Sequence, residues 1–278
     1  MKLVTYEASD GARVGLLEDG QVSDAGFDGD MVAFIEAGAP VGDATPVEDA
    51  RLLAPLRPRT LRDFLTFRGH MENALGRLGL PIPDEWYTTP AYYKGMPDTV
   101  IGPEAEIPWP EYTDKLDHEL ELAAVIGKPG RDIAREHALE HVFGWTIWND
   151  LSARDVQAKE VKIGMGPAKG KDWDGSNVLG PCIVTADELD ASDLRMTVRV
   201  NGEVWGEDTS ANMHHSFADL IAYASLAQTL HPGEVLGSGT AAGGSGLELD
   251  RWLQEGDELE LEIDGIGTLH NRVGRKGA

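Results

Sequence analysis

From residue 2 onward the chain alternates short apolar bursts with turn residues. Residues 2–7 and 13–17 read as strands, with Asp10-Gly11 and Asp19-Gly20 turning the chain between them and into a segment at Val22. A short helix is predicted over 30–36, and Ala54-Pro55-Leu56-Arg57-Pro58 reads as a linker. The pattern predicts a small N-terminal β domain over residues 1–58 and a larger domain over 59–278.

In the larger part, residues 60–78 read as a loop entering a helix, and 81–110 as an irregular, short-stranded run rich in proline and aromatics. Residues 116–127 form a strand candidate that begins alternating and ends fully apolar. A helix is expected over 131–141, a buried strand over 144–149 and a helix over 152–159, before a glycine-rich loop over 164–180. Asn201-Gly202 lies between two short strands at 198–205, the strongest hairpin signal in the chain. Phe217, Leu220, Ile221 and Ala224 have the spacing of a surface helix over 216–226, and 258–263 alternates as a strand. The predicted fold class is mixed, β-rich α+β.

The 278 residues can bury a sizeable core, and 33 glycines with 15 prolines fit many turns between short elements. A formal net charge of −24, with no basic stripe, argues against nucleic-acid binding. The same charge repels anionic metabolites, so an anionic substrate needs local positive charge from a metal, Arg or Lys. One cysteine, Cys182, leaves no intrachain disulfide and no cysteine metal cluster, so any metal would be held by oxygen or histidine. Neither a signal-peptide core nor an 18-residue apolar run occurs, and the expected setting is the cytoplasm, without membrane contact.

Because a strand alternates with period two, Asp117, Glu119 and Glu121 are expected to share one face, and three adjacent carboxylates call for solvent or a cation between them. A hard divalent cation suits such an oxygen shell. The equally regular Glu258-Leu259-Glu260-Leu261-Glu262-Ile263 shows that alternation alone is not diagnostic, since a strand with one wet face reads the same. The first stretch differs by running into Ala123-Ala124-Val125-Ile126, which places its acids at the mouth of a core. Asp150 follows an apolar run and opens a helix, so it reads either as an N-cap or as a further acid at that mouth. Arg154 and Gln157, three apart, share a helical face. Met213-His214-His215 reads as a surface or dimer contact, and the stretch 164–175, which lacks a P-loop ending, as a mobile lid or substrate loop. No Gly-x-Ser-x-Gly elbow for a serine hydrolase occurs.

The segments Asp117-His118-Glu119-Leu120-Glu121-Leu122-Ala123-Ala124-Val125-Ile126-Gly127-Lys128 and Asn149-Asp150-Leu151-Ser152-Ala153-Arg154-Asp155-Val156-Gln157 resemble the paired core motifs of the fumarylacetoacetate hydrolase family. Gly170-Lys171-Asp172-Trp173-Asp174, with Leu179-Gly180-Pro181, resembles its lysine loop, and Gly233-Glu234-Val235-Leu236-Gly237-Ser238-Gly239-Thr240 its late glycine-threonine turn, so the likeness runs over about residues 55 to 275. The resemblance implies a β-roll catalytic domain, a homodimer, and a divalent cation (Mg²⁺, with Mn²⁺ or Ca²⁺ as alternatives) on Glu119, Glu121 and Asp150, with Asp63 as a fourth ligand. It implies His70 as a base oriented by Glu248, Lys171, Gln157 and Arg154 as stabilisers of an oxyanion or a substrate carboxylate, and Tyr93 and Thr240 as pocket residues. The chain departs from the hydrolases of fumarylacetoacetate at Leu65 and at Val161-Lys162, where they carry tyrosines, so a different substrate is expected. The activity implied is hydrolysis of a C–C bond in a 1,3-dicarbonyl or acylpyruvate-type anion. The alternative is decarboxylation, hydration or isomerisation of a small 2-oxo acid on the same platform, and a scaffold without activity is the competing class.

Overall fold

A computed structural model describes residues 1–77 and 79–278. Leu78, the last residue of the predicted loop-to-helix segment, lies outside them. Five α-helices occur among the described residues: α1 (Met31–Glu36), α2 (Arg68–Gly76), α3 (Arg154–Ile163), α4 (Phe217–Ala224) and α5 (Gly246–Leu249). The rest is mainly sheet, in agreement with the β-rich class expected.

The larger sheet has 12 strands. Its central path runs Lys2–Ala8, Asn177–Thr185, Val142–Asp150, Leu120–Ile126, Val235–Gly237, Leu61–Phe64 and Tyr92–Gly95. A second sheet orders Glu203–Thr209, Arg195–Val200, Glu258–Ile263, Gly267–Lys276 and Glu106–Trp109. Neither path closes into a barrel.

Leu120–Ile126 explains how the core is divided. All seven residues are buried, and the period of two sends Leu120, Leu122, Ala124 and Ile126 into the main core. Ala123 and Val125 face a second core, built with Leu3, Val14, Met31, Phe34 and Ile35 of the N-terminal part. That part is therefore joined to the large sheet, since Leu3 pairs with Ile183 while its side chain helps fill this second core.

The Asn201-Gly202 turn forms as expected, with φ of 52° and 76°, as a primed hairpin requires. Asp30 caps α1 through the Ala33 amide, and Ser216 with Asp219 forms a capping box on α4.

Four readings are corrected. Helix is confined to a 3₁₀ turn at Arg135–His141, because Asp132 is left-handed (φ 51°) and its N–H bonds to the Ser225 carbonyl. Ser152–Ala153 pairs as a strand with Leu116–Asp117, so α3 starts at Arg154. Asp150 ends a strand and is not an N-cap. The strand over 116–127 is interrupted at His118, and this break sends Asp117 away from the acids that follow it.

Candidate active site

Five neighbouring strands carry the site in one row. Glu121 stands opposite Trp148, so Asp150, two residues on, shares its face. Ala123, also on that face, stands opposite Gly237, Gly237 lies beside Asp63, and Asp63 opposite Tyr93. Strands lie about 4.8 Å apart, so acids on non-adjacent strands meet only if the strand between them leaves room. Gly237 leaves it. A Cβ there would lie 2.5 Å from Glu121 Oε2 and 2.6 Å from the Trp148 ring. Glu119 enters from the interruption before Leu120, its N–H donating to Asn149 Oδ1 at 3.0 Å.

Ligand oxygens of Asp63, Glu119, Glu121 and Asp150 lie within 4.8 Å of one another, and all four residues are buried. Both Glu121 oxygens, Asp63 Oδ1 and Asp150 Oδ1 have no hydrogen-bond donor. Burial, then the neighbouring carboxylates, push Asp63 and Glu121 well above the usual carboxylate range, and burial also raises Asp150. Burial acts upward on Glu119 too, but Arg154, Lys171 and His70 outweigh it and hold the group far down. Four acids face Lys171 and an Arg154 shared with Asp117, so negative charge is left uncompensated. Orphaned buried oxygens in an all-carboxylate set fit a hard divalent cation.

Lys171 Nζ donates to Glu119 Oε2 and Asp150 Oδ2, each at 2.5 Å. Its loop is fastened to α3, where the Glu160 carboxylate accepts from the Ala168 and Gly170 amides at 3.0 and 3.2 Å. Tyr93 donates its hydroxyl to Asp150 Oδ2 at 2.6 Å. Arg154 is committed to protein groups: Nη2 to Glu119 Oε1 at 2.6 Å, Nε to Asp117 Oδ2 at 2.7 Å and Nη1 to Gln157 Oε1 at 3.0 Å. It anchors acids in this structure rather than facing a substrate position. Thr240 is buried three residues beyond Gly237.

His70, on α2, donates from Nδ1 to Glu248 Oε1 of α5 at 2.9 Å, and both side chains are buried. Glu248 also accepts from Asn73 Nδ2 at 2.7 Å, the Gly243 amide at 2.8 Å and Ser245 Oγ at 3.1 Å. Burial pushes the Glu248 carboxyl up, but His70 and these hydrogen bonds outweigh it and hold the group below its ordinary range. Asn73 was missed in the sequence, although its place one helical turn after His70 is a legible signal. His214 and His215 pack around Trp86, donating to the Tyr87 and Trp86 carbonyls at 3.0 and 2.9 Å, which braces the 3₁₀ turn Asp84–Tyr87 between α2 and the strand Tyr92–Gly95.

No helix among the described residues is long and apolar enough to cross a membrane. A family profile described as fumarylacetoacetate (FAA) hydrolase C-terminal matches residues 59–274, and one described as Rv2993c-like, N-terminal matches 1–55. The mitochondrial oxaloacetate tautomerase FAHD2A of Homo sapiens is 36% identical over 196 residues. That alignment covers 70% of this chain and 60% of the relative, so the chain spans less than two thirds of that protein's length. The solved fumarylacetoacetate hydrolase of Exiguobacterium antarcticum superposes with a TM-score of 0.84 at 32% identity, covering 99% of each chain. A 5-carboxymethyl-2-hydroxymuconate delta-isomerase from Mycobacterium smegmatis superposes with a TM-score of 0.79 at 30% identity, covering 99% of this chain and 100% of that one. By its match over residues 59–274, and with a fold shared along nearly its whole length, this chain belongs to the fumarylacetoacetate hydrolase family.

Proposed function

We propose that the chain moves a proton at the carbon beside a carbonyl in a small anionic 2-oxo acid, as a keto–enol tautomerase or double-bond isomerase. The observation that carries this reading is the buried His70–Glu248 pair standing beside the carboxylate cluster. Asp63, Glu119, Glu121 and Asp150 would hold the cation, with Mg²⁺ or Mn²⁺ favoured and Ca²⁺ third. Once bound, it would supply a concentrated positive charge that favours enolate formation.

The residues divide the remaining work. Glu248 engages Nδ1–H of His70 and so leaves Nε2 with the lone pair that takes and returns the proton. The Lys171 ammonium and the Gln157 amide stand near the acids, where negative charge develops on the substrate. Tyr93 holds Asp150 in place, and the buried Thr240, three residues beyond Gly237, would help shape the pocket.

Similarity to proteins named as an oxaloacetate tautomerase and a delta-isomerase supports proton transfer, which needs no attacking water. A second reading, C–C hydrolysis of a 1,3-dicarbonyl or acylpyruvate, draws on the likeness to the Exiguobacterium hydrolase. There His70 would take its proton from water. The family resemblance also supports a homodimer, to be checked by light scattering.

With Mg²⁺ or Mn²⁺, purified protein should accelerate decay of the oxaloacetate enol, followed in the ultraviolet, without releasing carbon dioxide. His70→Ala should lose about 10²–10⁴-fold in kcat and still bind the cation. Glu119→Ala should lose both. Equal rates in the His70 variant or in chelator would overturn the reading, and acylpyruvate cleavage with the enol untouched would select hydrolysis.

A further inference from the structure

Asp117 lies outside the four clustered carboxylates, yet it is fully buried and three of the four bonds it accepts lead to the site. Its Oδ1 accepts from the His118 amide at 2.9 Å and the Gly246 amide at 2.8 Å. Its Oδ2 accepts from the Leu247 amide at 3.0 Å and from Arg154 Nε at 2.7 Å. One branch runs through Arg154 to Glu119, and the other through the first residues of α5 to Glu248 and so to His70. We propose that Asp117 is the positioning residue that holds the acidic cluster and the His70–Glu248 pair in one fixed register, an inference that rests on the proton-transfer reading above.

Two further contacts bear on this. A Cβ on Gly246 would lie 2.7 Å from Asp117 Oδ1 and 2.0 Å from the Arg251 carbonyl oxygen, so glycine is what allows α5 to reach the acid. Ser245 forms a bridge with Glu119 and donates its hydroxyl to Glu248, tying the same two parts a second time.

The chemistry calls for a carboxylate. Asp117 meets three amides and a guanidinium, all donors, and an asparagine would turn its own NH₂ against at least one of them. A buried donor without an acceptor shifts, and shifts near 1 Å cost catalysis heavily. Partners at this remove from a metal typically govern about 10–100-fold in affinity or activity.

The test compares Asp117→Asn with Asp24→Asn. Asp24 accepts from three groups (Tyr6, Arg13 and the Gly26 amide), against four at Asp117, but lies in the N-terminal part, far from the site in the sheet order. The first readout is Mn²⁺ affinity by electron paramagnetic resonance. The second is the low-field Nδ1–H proton resonance of His70, assigned by its loss in His70→Ala. Asp117→Asn should weaken Mn²⁺ about 10–100-fold and move or broaden that resonance, while Asp24→Asn changes neither. Unchanged readouts in Asp117→Asn, or equal changes in both variants, would overturn the proposal.

Should Asp117→Asn fail to fold, Arg154→Lys cuts only the branch to Glu119. It should weaken Mn²⁺ and spare the His70 signal, and unaltered Mn²⁺ affinity there would overturn the proposal as well. A wild type that binds Mn²⁺ and shows the resonance but turns over no 2-oxo acid would sink the proposed function alone, since both readouts are independent of turnover.

Discussion

At Gly237 a missing side chain decides whether the acids can meet. Gly237→Ala would place a methyl 2.5 Å from Glu121 Oε2 and 2.6 Å from Trp148, both fully buried and unable to retreat. We expect about 1–3 kcal/mol of destabilisation from the overpacking, and a cation affinity lowered at least about 10-fold by calorimetry. Wild-type affinity in that variant would show that the gap has no bearing on binding. In the sequence, Glu119, Glu121, Asp150 and Asp63 were nameable from motifs, whereas Gly237 was only part of a turn. Its meaning depends on which strands flank it, and those lie more than 100 residues away in the chain. Arg154 reverses the lesson: its helical spacing from Gln157 was legible, but its commitment to Asp117 and Glu119 required the strand break at His118.

Among elements, those with local causes were legible. The Asn201-Gly202 hairpin, the capped α1 and the amphipathic α4 are specified within a few residues of themselves. The helix expected over 131–141 failed because its start is held by distant groups, the Ser225 carbonyl and the Ala227 amide.

The last strand, Gly267–Lys276, carries its own test. His270 bonds Glu104 at 3.1 Å and meets Glu258 at 2.9 Å, linking this strand to its neighbour and to the loop before Glu106–Trp109. Burial acts downward on the imidazole, but the two carboxylates outweigh it and raise it above the ordinary histidine value. A raised folded-state value means stability that is full below the unfolded value, about 6.5, and lost as pH rises through the folded one. The melting difference between wild type and His270→Gln should therefore be largest near about pH 6 and fade towards alkaline pH. Added salt should shrink it, since the site is partly exposed. A difference that grows with pH would refute the assignment.

For the whole molecule, the N-terminal part is the instructive case. Turn signals and the Pro-containing linker predict a separate small domain, and we propose a boundary near residue 58 without independent folding. Leu3 pairs with Ile183, and Leu3, Phe34 and Ile35 fill one core with Val125, Ile183 and Val235. Deleting residues 1–58 would expose that core and an unpaired strand edge. The remainder should aggregate or melt more than about 10 °C lower, and a truncated chain melting like the full one would refute the shared core.

By itself the sequence determined the β-rich class, the local turns and caps, the kind of ion an all-oxygen donor set invites, and the family to which those motifs belong. These follow from short-range sterics, from side-chain period and from the chemistry of each residue type. Tertiary structure alone decided that Asp63 reaches Glu121 across a glycine while Asp150 meets it from the adjoining strand, that Arg154 serves protein acids, and that Asp117 faces α5 instead of the cluster. Those outcomes depend on strand order and on one interruption in a strand, and strand order is set by packing between segments far apart in the chain, which no local pattern encodes.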